Sequence, residues 1–178
     1  MHVVRPADWI NKDWRNGGGV TSEIAAKRQV GEIVWRMSTA IVDKNGKYSP
    51  FPGLTRISTA IDGAGTTLRD PDNGDRVDIP PRCPTTLNGS IAWDGILTDG
   101  PIRHFNMIFD PCKVCASVAV LQLNGRAAPS NCLSAIFCID GQFEVQDIQF
   151  GKHDLALGPI GEIYGKAIVL NIRLANRF

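Results

Sequence analysis

The chain has 178 residues, is 43% hydrophobic and 21% charged, and carries a formal net charge of +1. That size and composition suit one domain or two small lobes sharing a core. A near-zero charge gives no field broad enough for nucleic acid or an anionic membrane, and no apolar run approaches the roughly 18 residues of a membrane span. The opening residues, Met1 to Trp9, lack a signal-peptide core, so a cytoplasmic location is expected. The five cysteines are then expected to be reduced. Cys112 and Cys115 form a C-x-x-C. No second pair stands at finger spacing and no thioredoxin-like pattern surrounds it, so two loop or buried thiols are expected rather than a zinc or redox site.

In chain order, the first informative stretch is W-R-N-G-G-G at Trp14–Gly19, followed at once by Thr21-Ser22-Glu23-Ile24. Three glycines allow positive φ and a close approach to a neighbour, which points to a binding or packing site before catalysis. Strand character follows at residues 33–42, 56–61, 66–69, 102–109, 117–123, 133–139, 142–148 and 167–174. Nine Asn-Gly or Asp-Gly dipeptides are the expected hairpin turns, among them Asp94-Gly95, Asn124-Gly125 and Asp140-Gly141. Many short strands at near-regular spacing predict an all-β barrel or sandwich. The stretch from Pro111 to Cys115 is the expected join between an N-terminal lobe, 1–110, and a smaller C-terminal lobe, 111–178, packed on it.

One echo stands out. Arg36-Met37-Ser38-Thr39-Ala40-Ile41 is matched by Arg56-Ile57-Ser58-Thr59-Ala60-Ile61. In strands, Arg, Ser and Ala share one face. If two neighbouring strands line one barrel, both faces look inward, the small residues leave room and the arginines charge the lumen. The alternative is a coincidence, with both arginines in solvent.

Three segments, W-R-N-G-G-G-V-T-S-E-I (14–24), W-R-M-S-T-A-I-V-D-K-N-G-K-Y-S-P-F-P-G-L-T-R (35–56) and L-T-D-G-P-I-R-H-F-N-M-I (97–108), in this order and spacing resemble the HutD/Ves family of cupin-like proteins. Residues 143–162 look like a second cupin-type unit. The resemblance implies a double cupin-like, jelly-roll type β-barrel, a compact bicupin that is commonly dimeric. For the HutD branch it also implies a regulatory or ligand-binding part in histidine utilisation; the Ves branch is stress-associated, the residues leave the branch open, and no established reaction comes with either. His104 stands where the family has Asp, and Leu87-Asn88-Gly89-Ser90 replaces a Phe-x-Gly-Asp pattern.

Metal-dependent cupins use an H-x-H pair, a carboxylate and a third histidine. Here the histidines are His2, His104 and His153, none in an H-x-H, so no metal and no other cofactor is expected. P-loop, dinucleotide and hydrolase-elbow motifs do not occur. Recognition chemistry remains. Arg36 and Arg56, placed on neighbouring strands, suit a carboxylate clamp. Asn16, Asn106 and Ser38 suit orienting contacts. Glu23 suits an arginine partner or an acceptor for a ligand N–H. Trp14 and Trp35 suit walls, and Phe51 the mouth. His104 in the pocket would make binding pH-sensitive near pH 6 to 7.

The leading expectation is a non-catalytic module for a small anionic metabolite, such as N-formylglutamate. A metal-free isomerase or lyase acting on a small acid is the alternative, with Glu23 or His104 as the acid or base. A mainly scaffolding role is a third. A homodimer is expected under each.

Overall fold

Apolar and polar residues alternate between closely spaced turns, and such segments bury one face by pairing into sheets. The computed structural model describes residues 1–14, 17–127 and 133–177, and only the backbone of residues 133 and 134. Among the described residues the regular structure is sixteen strands and one three-residue 3₁₀ turn, Pro6–Asp8. No helix among them is long and apolar enough to cross a membrane.

Contacts divide the chain into two units, Ile10–Lys113 and Met1–Trp9 with Val114–Phe178. The first nine residues, expected in the N-terminal lobe by chain order, therefore belong with the C-terminal unit. The reason is β1 (His2–Val4), which completes that unit's sheet. Arg5 adds an ion pair with Asp154, whose carboxylate also accepts from the Gly151 main-chain N–H at 2.7 Å.

The Ile10–Lys113 unit holds β2 (Ile10–Asp13), β3 (Gly19–Gln29), β4 (Glu32–Val42), β5 (Gly46–Lys47), β6 (Thr55–Asp62), β7 (Thr66–Arg69), β8 (Arg76–Ile79), β9 (Thr85–Asn88), β10 (Asp94–Leu97) and β11 (Ile102–Phe109). One sheet runs β2-β3-β4-β11-β6-β9 and the other β5-β10-β7-β8. Val42, Ala60, Leu87 and Ile102 from the first sheet and Leu68 and Ile79 from the second form one buried apolar cluster with Tyr48 and Trp93.

The other unit adds β12 (Val114–Ala127), β13 (Leu133–Val145), β14 (Ile148–Phe150), β15 (Leu155–Leu157) and β16 (Ile163–Asn176) to β1. Its sheet runs β1-β15-β13-β16-β12, with β14 beside β13. Ile136, Cys138, Phe143, Val145, Phe150 and Val169 fill its interior.

Two local expectations change. Asp94-Gly95, Asn124-Gly125 and Asp140-Gly141 lie inside strands rather than at hairpin tips. At Asp140 the pairing of β13 with β16 slips by a residue, and Gly141 at φ 82 absorbs the bulge, so two predicted strands are one. Strand β3 lies outside the expected strands, and its Ala-Ala-Lys-Arg-Gln end carries helix formers. Antiparallel pairing with β2 and β4 overrides that preference.

Candidate functional site

Three adjacent strands build the site. Across β4, β11 and β6 the antiparallel register places Arg36, Ile108 and Arg56 in one row, Ser38, Asn106 and Ser58 in the next, and Ala40, His104 and Ala60 in the third. Side chains alternate along a strand, so all nine share a face. That face grades from charged through polar to small. It then meets the apolar cluster at Val42 and Ile102, which are paired in the same register. The two echoed segments are thus not neighbours: β11 lies between them, and Ile108 separates the arginines. Met37, Phe105 and Met107, on the opposite face, are completely buried.

The charged end opens into a cavity of about 530 Å³. Arg36, Ser38, Arg56 and Asn106 line it, with Trp14, Tyr48 and Phe51 as aromatic walls and Lys12, Asp13 and Lys47 also on its lining. Trp14 is held by an indole N–H donated to Thr21 Oγ1 at 2.7 Å and by an edge-on contact with Tyr48. The Phe51 ring centroid lies 5.1 Å from the Arg56 guanidinium carbon and 6.0 Å from that of Arg36. One ring therefore braces both cations through its π-face.

The two arginines differ in their partners. Arg36 Nε stands 3.0 Å from Glu23 Oε2, but its N–H is not aimed at the oxygen, so the attraction is coulombic rather than a directed hydrogen bond. Glu23 accepts instead from both terminal nitrogens of Arg28, at 2.9 and 2.7 Å. Arg28, and then Arg36, hold the Glu23 carboxyl below its ordinary range. Arg56 is 7% exposed and donates to the Ser49 carbonyl at 3.1 Å. Its Nε has no partner, and among the described residues no carboxylate pairs with it. Desolvation, with the Arg36 charge adding to it, pushes the Arg56 pKa down to about 10, so it remains charged at neutral pH.

His104 lies one row below the polar lining and is completely buried. Its Nε2 stands 3.1 Å from the Tyr48 hydroxyl and its Nδ1 3.2 Å from Ser58 Oγ. Burial, reinforced by the Arg56 charge, pushes its pKa down to about 4. It is neutral throughout pH 6 to 7, so the expected pH switch in that range is absent.

The glycine stretch resolves toward packing. A Cβ on Gly19 would stand 2.2 Å from the Ile41 carbonyl oxygen, so this residue lets β3 approach β4. Gly17, at φ 62, turns the chain between β2 and β3 and donates to the Trp14 carbonyl at 3.0 Å. Asn16 lies outside the described residues. Trp35 pairs with Phe109 in the register and belongs to the face away from Arg36. Tyr48 was missed, although it sits inside the quoted K-Y-S-P-F-P stretch. Ser58 was legible only as part of the echo. Cys83, Cys112 and Cys115 are exposed free thiols, and Cys138 is a buried one. Among the described residues no cluster of three His, Cys, Asp or Glu is placed to hold a metal.

Known proteins resemble this chain. HutD from Pseudomonas fluorescens SBW25 is 29% identical, with a TM-score of 0.84 and 99% of each chain covered. A conserved protein of unknown function from Pseudomonas aeruginosa PAO1, PA5104, is 26% identical, with a TM-score of 0.85 and the same coverage. A curated relative from Pseudomonas putida, an uncharacterised 21.2 kDa protein in the hutC 3′ region, is 28% identical over all of this chain and 94% of its own length. Ylba from Escherichia coli, at 8% identity and a TM-score of 0.73, shares the cupin-like all-β fold alone. The HutD family profile matches residues 7–170, and the chain belongs to the HutD family.

Proposed function

We propose that the chain is a non-catalytic binding module for a small carboxylate metabolite, held between Arg56 and Arg36. The observation that carries this reading is Arg56, a buried guanidinium on a cavity wall with no carboxylate partner among the described residues. A buried charge without a counter-ion is costly, and an anion from solution removes that cost. Arg36 already has Glu23, so a guest carboxylate meets Arg56 first and then competes with Glu23 for Arg36. The fork of donors on each guanidinium matches carboxylate oxygens.

Neither acid–base candidate favours turnover. Glu23 is engaged by two guanidinium groups, and His104 is buried with both ring nitrogens near hydrogen-bond partners. The P. putida relative lies beside hutC, and the P. fluorescens relative is named HutD. By that association the ligand is an intermediate of histidine breakdown, with an N-formylglutamate-like molecule as the candidate, and binding reports pathway flux in the cytoplasm. Three exposed unbridged thiols fit a reducing compartment.

Calorimetry with histidine-pathway carboxylates tests this. Binding heat in the wild type, lost in Arg56→Ala, is expected. Heat that is unchanged in Arg56→Ala and Arg36→Ala removes the clamp.

The proposed homodimer has its own support. Strand β12 is fourteen residues long and, among the described residues, pairs with β16 alone. From Val114 to Gly125 it carries neither charge nor proline, the usual guards of an open edge. Light scattering of the wild type against Ala119→Pro measures it: a dimer that becomes a monomer is expected, and a monomeric wild type refutes it.

A further inference from the structure

Below the arginines, four uncharged side chains form a line. Tyr48 Oη is 3.1 Å from His104 Nε2, His104 Nδ1 is 3.2 Å from Ser58 Oγ, and Ser58 donates to Asn106 Oδ1 at 2.9 Å. Proton counting sets the direction at the Asn106 end of the line. Ser58 has one proton and gives it to Asn106, so toward His104 it can only accept. At the far end Tyr48 is shared between His104 and the Thr66 side chain, and a Thr59 main-chain group also bonds the imidazole, so His104 is held from several sides against Ser58. Burial keeps both titratable members of the line neutral, pushing Tyr48 up to about 12 and His104 down to about 4.

The line ends at the cavity. With Oδ1 engaged by Ser58, Asn106 turns its Nδ2 group, two donors and no acceptor, to whatever lies beside it. Asn106 lines the cavity one row from Arg36 and Arg56, so those donors have the cavity beside them.

We propose that Asn106 is the specificity-determining residue of this site, held by Ser58 and His104 so that its N–H donors read a neutral carbonyl oxygen on the ligand. The inference rests on the reading of the cavity as a carboxylate site. It narrows the ligand class to a small carboxylate that also bears an acyl or amide oxygen. A free amino acid of the same skeleton presents an ammonium, which is all donor, to a carboxamide that is also all donor. The site therefore accepts N-acylated amino acids and rejects their free parents. Ser58 and His104 are positioning residues: without Ser58 the carboxamide is free to turn its oxygen outward.

Calorimetry of the full chain with N-formyl-L-glutamate and L-glutamate tests the proposal. The wild type is expected to favour the formyl compound by about tenfold or more, the effect of a satisfied against an opposed buried donor. Asn106→Asp is expected to reverse that preference. Ser58→Ala is expected to shrink it to about threefold or less. A readout independent of affinity is the Asn106 side-chain amide resonance, expected to shift with N-formyl-L-glutamate and much less with glutarate, which lacks the acyl group. Equal binding of both amino-acid ligands by the wild type, abolished by Arg56→Ala, overturns the role of Asn106 and leaves the carboxylate site standing. A Ser58→Ala variant with the full wild-type preference also overturns it. No binding of glutarate, glutamate or the formyl compound by the wild type sinks the carboxylate site and this inference together.

Discussion

The two units solve the same packing problem in opposite ways. In the C-terminal unit the core cluster is apolar, with Phe143 and Phe150 stacked at 4.9 Å between aliphatic neighbours, and the buried Asp154 is matched by Arg5. In the Ile10–Lys113 unit the apolar cluster fills only one end, and the same three strands that supply Val42, Ala60 and Ile102 supply Arg36, Ser58 and Asn106 at the other. A cupin-like fold does not require a hollow. The hollow here comes from small and polar residues on alternate positions of β4, β6 and β11, and it costs more buried polar surface, Ser38, Arg56, Ser58, His104 and Asn106, than the other unit carries.

The sharpest way to break this contrast is to remove equivalent aromatics. Phe143→Ala is expected to cost about 4 kcal/mol, because a fully buried ring leaves a void. Phe51→Ala, at the cavity wall, is expected to cost about 1 kcal/mol, mainly the lost contacts with two guanidinium groups. Urea midpoints of the two variants measure the difference, and equal losses would mean that the cavity wall is packed as tightly as the filled unit.

Next in size is a pH effect that belongs to the polar end alone. A His104 in the unfolded chain titrates near 6.5 and in the folded chain near 4. The unfolded state binds the extra proton between those values, so stability is fully present above pH 6.5 and falls as pH drops toward 4. The full span is worth about 3 kcal/mol. His104→Gln is expected to flatten this slope in denaturation series at pH 7, 5.5 and 4.5. A slope unchanged by the substitution would place the acid sensitivity elsewhere.

Arg56→Met gives a smaller effect of opposite sign. Replacing a buried cation that has no counter-ion with an apolar chain of similar length is expected to raise stability by about 1 kcal/mol while abolishing ligand binding. Thermal unfolding without ligand checks this, and a destabilised variant would mean that Arg56 holds the fold.

The smallest effect lies at the hairpin tip. Val30 is 99% exposed at φ 50, a left-handed conformation that a β-branched side chain adopts only under strain. Val30→Asn relieves it and is expected to add about 0.5 kcal/mol, read from the urea midpoint.

The sequence made the all-β class legible through turn density. It made the site legible through one repeated pattern, because Arg-x-Ser-x-Ala has the period of a strand face and marks which residues look inward. Pairing was not legible. Nothing local in residues 36–41 or 56–61 shows that β11 inserts between them, since strand order depends on contacts distant in sequence. The depth of His104 was hidden for the same reason: its burial comes from Tyr48 and Ser58 on other segments. Gly-rich turns were over-read, because glycine at positive φ serves a bulge within β13 as readily as a hairpin.

The most direct test is a crystal structure of the protein grown with N-formyl-L-glutamate. A carboxylate oxygen is expected within about 3 Å of an Arg56 terminal nitrogen, inside the cavity between Phe51 and Asn106. A ligand found elsewhere, or an Arg56 side chain turned into solvent with the cavity empty, would contradict the carboxylate site.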